Sequence, residues 1–232
     1  MLQQTQTQRV LRKYPDFMNA FPTPAALDGA SVAEALRLWS GLGYNRRALA
    51  LKHAASEIVS RFGGEVPADE TALLTLPGVG RYTARAVLAF AFGLPAAPIE
   101  TNVRSVFIHE FFPEAQGVRD RDIEPLAEAA LDREDPREWN YALMDYGAML
   151  KASSTNPGRR SAHHVRQSPF ADSHRRVRGE LLKTLGASDA PLPVESLASR
   201  IAFSRERVEK ALGELVAEGF VAERAGAYRL AD

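Results

Sequence analysis

The sequence predicts a mainly α-helical protein that ends in a small mixed unit. Two observations carry this. Apolar residues recur at helical spacing through the first 150 positions, and no alternating strand pattern appears there. The last 60 residues instead read as three short helices followed by two short strands. A third observation sets the scale. The chain has 232 residues, 45% hydrophobic and 25% charged. That is enough apolar material for a sizeable core, as one large domain or a larger one with a small companion.

The elements follow in order. Ser31 and Glu34 form the S-x-x-E pattern of a helix start. The helix they open carries Val32, Leu36 and Trp39, and Gly41 and Gly43 end it. From Arg46, the residues Leu51, Ala55, Ile58 and Phe62 recur at helical spacing until Gly63-Gly64. Pro67 and Asp69 start a short helix through Leu76. Pro77-Gly78-Val79-Gly80 is a tight break before a helix over 82–92, which Gly93 and Pro95 end. Further helices are expected over 103–111, 120–132 and 137–150. From Lys151 to Pro169 the composition turns to Ser, Asn, Pro, Gly, Arg and His, which predicts a loop. Helices are then expected over 175–185 and 194–201. Ser204 stands where it would cap a third, with Val208, Leu212, Leu215 and Val216 on one face. Gly219 ends that helix. Strands over 220–224 and 228–230 flank a turn at Ala225-Gly226. Three helices and a terminal hairpin are a winged-helix pattern. The expected domains are 1–167 and 168–232.

Composition excludes several classes. With no cysteine, the chain can form no disulfide, no cysteine nucleophile and no thiolate-ligated zinc or iron–sulfur site. Five histidines cannot supply a dense metal site alone. No apolar run approaches the roughly 18 to 20 residues of a membrane span, and no signal peptide is evident. Charge is balanced at 29 basic against 29 acidic residues. The balance hides an asymmetry. Between Lys151 and Arg178 lie Lys151, Arg159, Arg160, Arg166, Arg175, Arg176 and Arg178, against Asp172 alone. That segment carries +6 and the rest of the chain −6. It reads either as a solvated linker or as a strip that meets phosphates.

The sharpest motif is Leu76-Pro77-Gly78-Val79-Gly80-Arg81-Tyr82-Thr83-Ala84. Glycines let the backbone turn tightly and approach a ligand. The free N–H groups at the start of the following helix favour an anion such as a DNA phosphate. A bare helix–helix corner is the other reading. The whole string resembles the helix–hairpin–helix of the endonuclease III superfamily of DNA glycosylases. Three further segments extend the resemblance to the adenine-specific, MutY-type branch: Met1-Leu2-Gln3-Gln4-Thr5-Gln6, Gly41-Leu42-Gly43-Tyr44 and Pro98-Ile99-Glu100-Thr101-Asn102-Val103-Arg104. Tyr141-Ala142-Leu143-Met144-Asp145-Tyr146-Gly147-Ala148 matches the helix that leads to the family's iron–sulfur loop.

The resemblance implies roles residue by residue. Glu100 stands at the place of the catalytic Asp, eighteen residues after Tyr82, and is one methylene longer. Bifunctional relatives carry a Schiff-base Lys at the Tyr82 position. Tyr82 cannot form an imine, so base removal without β-elimination is expected. Asn102 matches a residue that positions the carboxylate and water. Gln4 and Tyr44 match residues that fill or wedge the base stack when the target nucleotide flips out. Gly78, Val79, Gly80, Arg81 and Thr83 belong to the DNA-backbone hairpin, whose carbonyls can hold a monovalent cation in the family. Glu100 could also be a plain helix-start carboxylate, and Tyr82, Asn102 and Tyr44 plain packing or capping residues.

Three departures accompany the resemblance. In the family, a Glu just before the first motif protonates the leaving base. Here Met1 opens that motif, so the expectation is a true start further upstream, with a naturally truncated and impaired protein as the alternative. The cluster positions fall at Lys151, Gly158, Ser161 and Gln167, none of which can hold iron as thiolate does. The expectation is a loop that persists without metal, with Arg159, Arg160, His163, His164 and Arg166 contacting DNA phosphates or packing onto the domain. The tail is too short for the β-rich recognition domain of the adenine enzymes, and the mixed charge of the third winged helix leaves a DNA or a structural role open.

The expectation is therefore a monofunctional base-excision glycosylase acting on mispaired adenine. Its partner would be double-stranded DNA with a mispaired or damaged base. It would be monomeric, in the cytoplasm with the nucleoid, without a cofactor beyond the hairpin cation. A thymine or uracil mismatch glycosylase is the second enzyme reading. A DNA-binding protein with impaired catalysis is the reading from another class.

Overall fold

The computed structural model describes residues 1–153, 155–165 and 169–232. The chain forms two compact units. One joins Met1–Val66 to Ser168–Asp232, and the other is Pro67–Gln167. Packing thus groups the first 66 residues with the tail rather than with the segment that follows them. The boundary expected between 167 and 168 lies outside the described residues.

The first unit opens with three short helices, α1 (Thr7–Leu11), α2 (Tyr14–Ala20) and α3 (Pro24–Gly29). Pro15 and Pro22, which lack a backbone donor, follow α1 and α2 and stop them from continuing, and Pro24 opens α3 at a position where no donor is needed. α4 (Val32–Trp39) starts on the expected capping box. Ser31 Oγ accepts from the Glu34 N–H at 3.1 Å, and Glu34 Oε2 accepts from the Ser31 N–H at 2.7 Å. α5 (Arg46–Phe62) ends at Gly63, whose φ of +63° is the left-handed helix stop that glycine adopts without strain.

The tail supplies α11 (His174–Gly186), α12 (Val194–Arg200) and α13 (Arg205–Ala217). Its strands β2 (Val221–Arg224) and β3 (Ala227–Leu230) pair antiparallel. Ala225 and Gly226 both have positive φ, at 53° and 76°, as a two-residue hairpin turn requires. A two-residue strand β1 (Leu192–Pro193), too short for any sequence periodicity, pairs with β3 and completes a sheet of order β1-β3-β2. Ser204 precedes α13, but its hydroxyl makes no capping bond. Glu206 in the first turn meets the helix dipole instead. One core runs through this unit: Phe17, Trp39 and Leu42 bury together with Val177, Leu181, Leu212, Leu215 and Phe220. The Ala33 N–H also donates to the Ala231 carbonyl at 2.9 Å.

The second unit holds α6 (Glu70–Leu74), α7 (Arg81–Ala86), α8 (Thr101–Phe111), α9 (Asp120–Ala130) and α10 (Pro136–Ser153). The helix expected over 82–92 changes character midway. From Val87 to Ala91 it is a π turn, an arrangement often found at functional sites. The loop after α10 contains a 3-10 turn at Pro157–Arg160. Ile99, Val103, Phe107, Ile108, Ile123 and Ala127 form this unit's core.

Candidate active site

Within the second unit, α6 and α7 flank the glycine hairpin. Asp69 caps α6, its Oδ1 accepting from the Ala72 N–H at 2.8 Å. The Val79 N–H closes the turn onto the Leu76 carbonyl at 3.1 Å. Gly78 has φ +73°, a conformation that favours glycine. A Cβ built on Gly80 would meet nothing within 4 Å, so that face of the hairpin is open. Arg81 is mostly exposed and pairs with Glu124 at 2.7 Å. Thr83 lies two residues further on in α7.

Glu100 opens α8. Its Oε1 accepts from the Asn102 N–H at 2.5 Å and the Val103 N–H at 2.9 Å. The free donors of a helix start favour such a carboxylate. Among the described residues Oε2 takes no hydrogen bond. One oxygen is thus anchored at the helix start. Burial and the charge of Glu100 both push the Tyr82 phenol above its usual range. The Tyr82 hydroxyl therefore stays protonated at neutral pH, beside a carboxylate.

Asn102 is held from the other side. Lys151 Nζ, in the last turn of α10, donates to Asn102 Oδ1 at 2.6 Å. Burial lowers the Lys151 amine from its usual range, the charge of Glu100 opposes that, and Arg104 adds to it. Arg104 binds Asp120 through two bonds of 2.6 and 2.9 Å. Helix α10 comes close because residue 147 is glycine. A Cβ there would lie 2.3 Å from the Asn102 carbonyl oxygen.

The loop at the expected cluster positions is pinned by protein groups. Asn156 Oδ1 accepts from the Gly158 N–H at 2.9 Å. The Val118 and Ala162 N–H groups bond the Arg160 and Val118 carbonyls at 3.1 and 2.9 Å. Gly158 has no room for a side chain, since a Cβ there would stand 2.8 Å from Ser105 Oγ. Lys151 is committed to Asn102 and Gln167 lies outside the described residues. The residues present do not fit an iron–sulfur cluster. No group of three or more histidine or carboxylate side chains that could hold a metal occurs among the described residues. Of the three arginines expected to meet phosphate or pack on the domain, Arg159 is exposed. Arg160 packs on the domain: its guanidinium bonds the Phe112 carbonyl at 2.5 Å, Ile108 at 3.2 Å and Pro113. These carbonyls lie at and just beyond the end of α8, where Ile108 also accepts the Phe112 N–H at 3.2 Å. Arg166 lies outside the described residues.

A match to the HhH-GPD superfamily base excision DNA repair protein model covers residues 1–134. The chain belongs to the HhH-GPD superfamily of base excision DNA repair proteins. It is 34% identical over 240 residues to the adenine DNA glycosylase of Mycobacterium tuberculosis, covering 95% of this chain and 79% of that one. It is 35% identical over 153 residues to a thymine/uracil-DNA glycosylase of Pyrobaculum aerophilum, covering 63% of this chain and 66% of that one. A solved thermostable thymine-DNA glycosylase superposes with a TM-score of 0.59 at 27% identity, over 67% of this chain and 73% of that one.

In this HhH-GPD chain the structure brings together Glu100, Asn102 and Tyr82 of the expected residues. Gln4 and Tyr44 lie in the first unit, each on a turn and each exposed. Sequence reasoning missed the Lys151–Asn102 bond and the close approach at Gly147. Both residues stand in or next to a motif it had singled out. A lysine at a lost metal-ligand position and a glycine inside a long helix are the signals that were available.

Proposed function

We propose that the chain is a monofunctional DNA glycosylase that hydrolyses the N-glycosidic bond of a mispaired adenine turned out of the duplex. The observation that carries this is Glu100, fixed at the start of α8 by one carboxylate oxygen with the other unbonded. Cleaving an N-glycosidic bond builds positive charge on the sugar. A carboxylate beside C1′ stabilises that charge, or takes the proton of the attacking water. The water oxygen bonds to C1′, and the base leaves with the bonding electrons and gains a proton. Asn102, oriented by Lys151, holds the water and the carboxylate. Tyr82 borders the site as a neutral phenol and offers no amine for an imine, so the strand is left intact at an abasic sugar.

In this reading Gly78, Val79, Gly80, Arg81 and Thr83 meet the DNA backbone, and a monovalent cation sits on the hairpin carbonyls. Arg159 adds a phosphate contact. Gln4 and Tyr44 enter the base stack. The winged-helix tail is structural: Arg205 is paired with Glu195 and Glu209, and Arg207 with Asp172. The partner is mispaired double-stranded DNA, the protein acts as a monomer, and it works at the nucleoid in the cytoplasm without a further cofactor. No helix among the described residues is long and apolar enough to cross a membrane.

Thymine or uracil excision is the second reading, favoured by the likeness to the thymine-DNA glycosylase structure. The test is incubation with A:8-oxoG, A:G, T:G and U:G duplexes, followed by hot alkali. Cleavage at the adenine strand only after alkali is expected. Glu100→Gln should lower the rate by more than about 100-fold while DNA binding stays. Activity on T:G alone would overturn the adenine reading, and binding without excision on any duplex would favour the impaired one.

A further inference from the structure

One side chain in the first unit is bonded to both of the turns that carry Gln4 and Tyr44. Arg47, in the first turn of α5, donates through Nη1 to the Met1 carbonyl at 2.8 Å and to the Gln3 carbonyl. Through Nη2 it donates to Thr5 Oγ1 at 2.8 Å, the Gly43 carbonyl at 3.1 Å and the Leu42 carbonyl at 3.4 Å. Its guanidinium also stands over the Trp39 ring at 5.3 Å and the Tyr44 ring at 5.6 Å. Thr5 Oγ1 spans the same gap, reaching the Leu42 carbonyl at 3.5 Å. Gln4 is thus flanked by Gln3 and Thr5, and Tyr44 follows Leu42 and Gly43. Every one of those flanking groups is held by Arg47.

The two turns share a second property. Gln4 has φ +50° and Tyr44 φ +48°. Only one other non-glycine residue among those described, Ala225 of the hairpin turn, has positive φ. A left-handed conformation is disfavoured for a residue with a Cβ, which crowds the following carbonyl oxygen. Such strain persists only where surrounding bonds over-determine the backbone. Arg47 supplies those bonds, and it does so at a cost of its own: its Nε is buried with no hydrogen-bond partner among the described residues. Stability alone would favour glycine at 4 and 44 and a shorter side chain at 47. Gln4 is exposed, and the Tyr44 ring is 42% exposed. Their side chains therefore project from a backbone that is fixed.

We propose that Arg47 is a positioning residue for base flipping, which locks the Gln4 and Tyr44 turns into one rigid two-pronged wedge. The inference rests on the proposed insertion of Gln4 and Tyr44 into the base stack. It predicts that the prongs act as a pair and that their joint geometry depends on a planar fork with several donors. An ammonium makes fewer simultaneous bonds in fixed directions.

The test uses the full chain and a duplex with 2-aminopurine in place of the mispaired adenine. Its fluorescence rises when the base leaves the stack. Gln4→Ala, Tyr44→Ala, Arg47→Lys and Arg47→Met are compared alone, and Arg47→Lys is combined with the Gln4→Ala/Tyr44→Ala pair. Thermal melting checks that each variant is folded. Arg47→Lys is expected to lower the fluorescence rise and the single-turnover excision rate by about 10- to 100-fold, the scale of ångström misplacement. The affinity for undamaged duplex should change less than about twofold, since the phosphate contacts that set it are untouched. Added to the Gln4/Tyr44 pair, Arg47→Lys should cause no further loss. If Gln4→Ala and Tyr44→Ala quench flipping while Arg47→Lys does not, or adds to them independently, the positioning role is overturned. If neither Gln4→Ala nor Tyr44→Ala alters the fluorescence, the wedge reading beneath it falls, and the positioning role with it. Should Arg47→Met fail to fold, Arg47→Lys alone decides.

Discussion

At the scale of single residues, the basic segment after α10 is not one feature but several individual commitments. Lys151 bonds Asn102, Arg160 bonds the carbonyls at the end of α8, and Arg178 pairs with Glu214 and Glu218. Arg159 is exposed one position from Arg160, so neighbours in sequence have opposite expected phenotypes. Arg160→Ala takes the guanidinium donors from the Phe112 and Pro113 carbonyls, while Ile108 keeps the Phe112 N–H, and should lower stability by about 1–3 kcal/mol, read as a drop in Tm, with the salt dependence of DNA binding unchanged. Arg159→Ala should leave Tm alone and reduce the slope of log K against log salt by about 1, the share of one phosphate contact. Lys151→Met frees the Asn102 side chain. Single-turnover excision should fall about tenfold, a modest share of the cost of misplacing a positioning group, with duplex affinity unchanged. A Lys151→Met variant with full activity would show that Asn102 needs no such support.

At the scale of elements, much was legible because the signals are local. The Ser31–Glu34 capping box, the Gly63 stop of α5 and the α6–hairpin–α7 break each lie within a few residues of sequence. The three helices before Val32 and the strand Leu192–Pro193 were not, since five to seven residues, or two, are too few for a periodicity to register. Contacts such as Arg47–Met1 or Lys151–Asn102 join residues more than 40 apart, and no local pattern encodes them. Gly147 is the element-scale case with a consequence. Helix propensity disfavours glycine inside α10 by about 1 kcal/mol relative to alanine, so Gly147→Ala would stabilise an isolated helix. Here a methyl would sit 2.3 Å from the Asn102 carbonyl oxygen and 2.6 Å from its carbon. Backbone cannot yield as a flexible side chain can. The expected outcome is a loss of about 1–3 kcal/mol, the range for overpacking. Excision should fall more than stability accounts for, since the Val103 N–H that anchors Glu100 shares a peptide plane with that carbonyl. An alanine variant with higher Tm and native activity would contradict the close approach.

At the scale of the molecule, zero net charge conceals where charge works. The tail's α13 is bound to α5 and α11 through Glu218, which accepts from Arg46 at 2.7 and 2.9 Å and from Arg178 at 2.7 Å. The hydrogen bonds from Arg46, foremost, and from Arg178 bring the Glu218 carboxyl down to about 2, against the opposing effect of burial. A carboxyl depressed in the folded state binds fewer protons there than in the unfolded chain. Its contribution is therefore complete above about 4.5, the ordinary value, and is lost as pH falls toward 2. Other carboxylates also titrate in this window, so the informative quantity is a difference. Glu218→Gln keeps the shape and removes the charge. The Tm gap between the parent chain and this variant should be constant from pH 7 to about pH 5 and close progressively below it. Adding 0.5 M salt at pH 7 should narrow the gap only in part, because Arg178 is largely buried and is screened less than the exposed Arg46. A gap that stays open at pH 2.5 would mean that Glu218 holds the tail by shape rather than charge. The shared burial of Trp39 with Leu212 and Phe220 would then be what makes the tail part of the first unit.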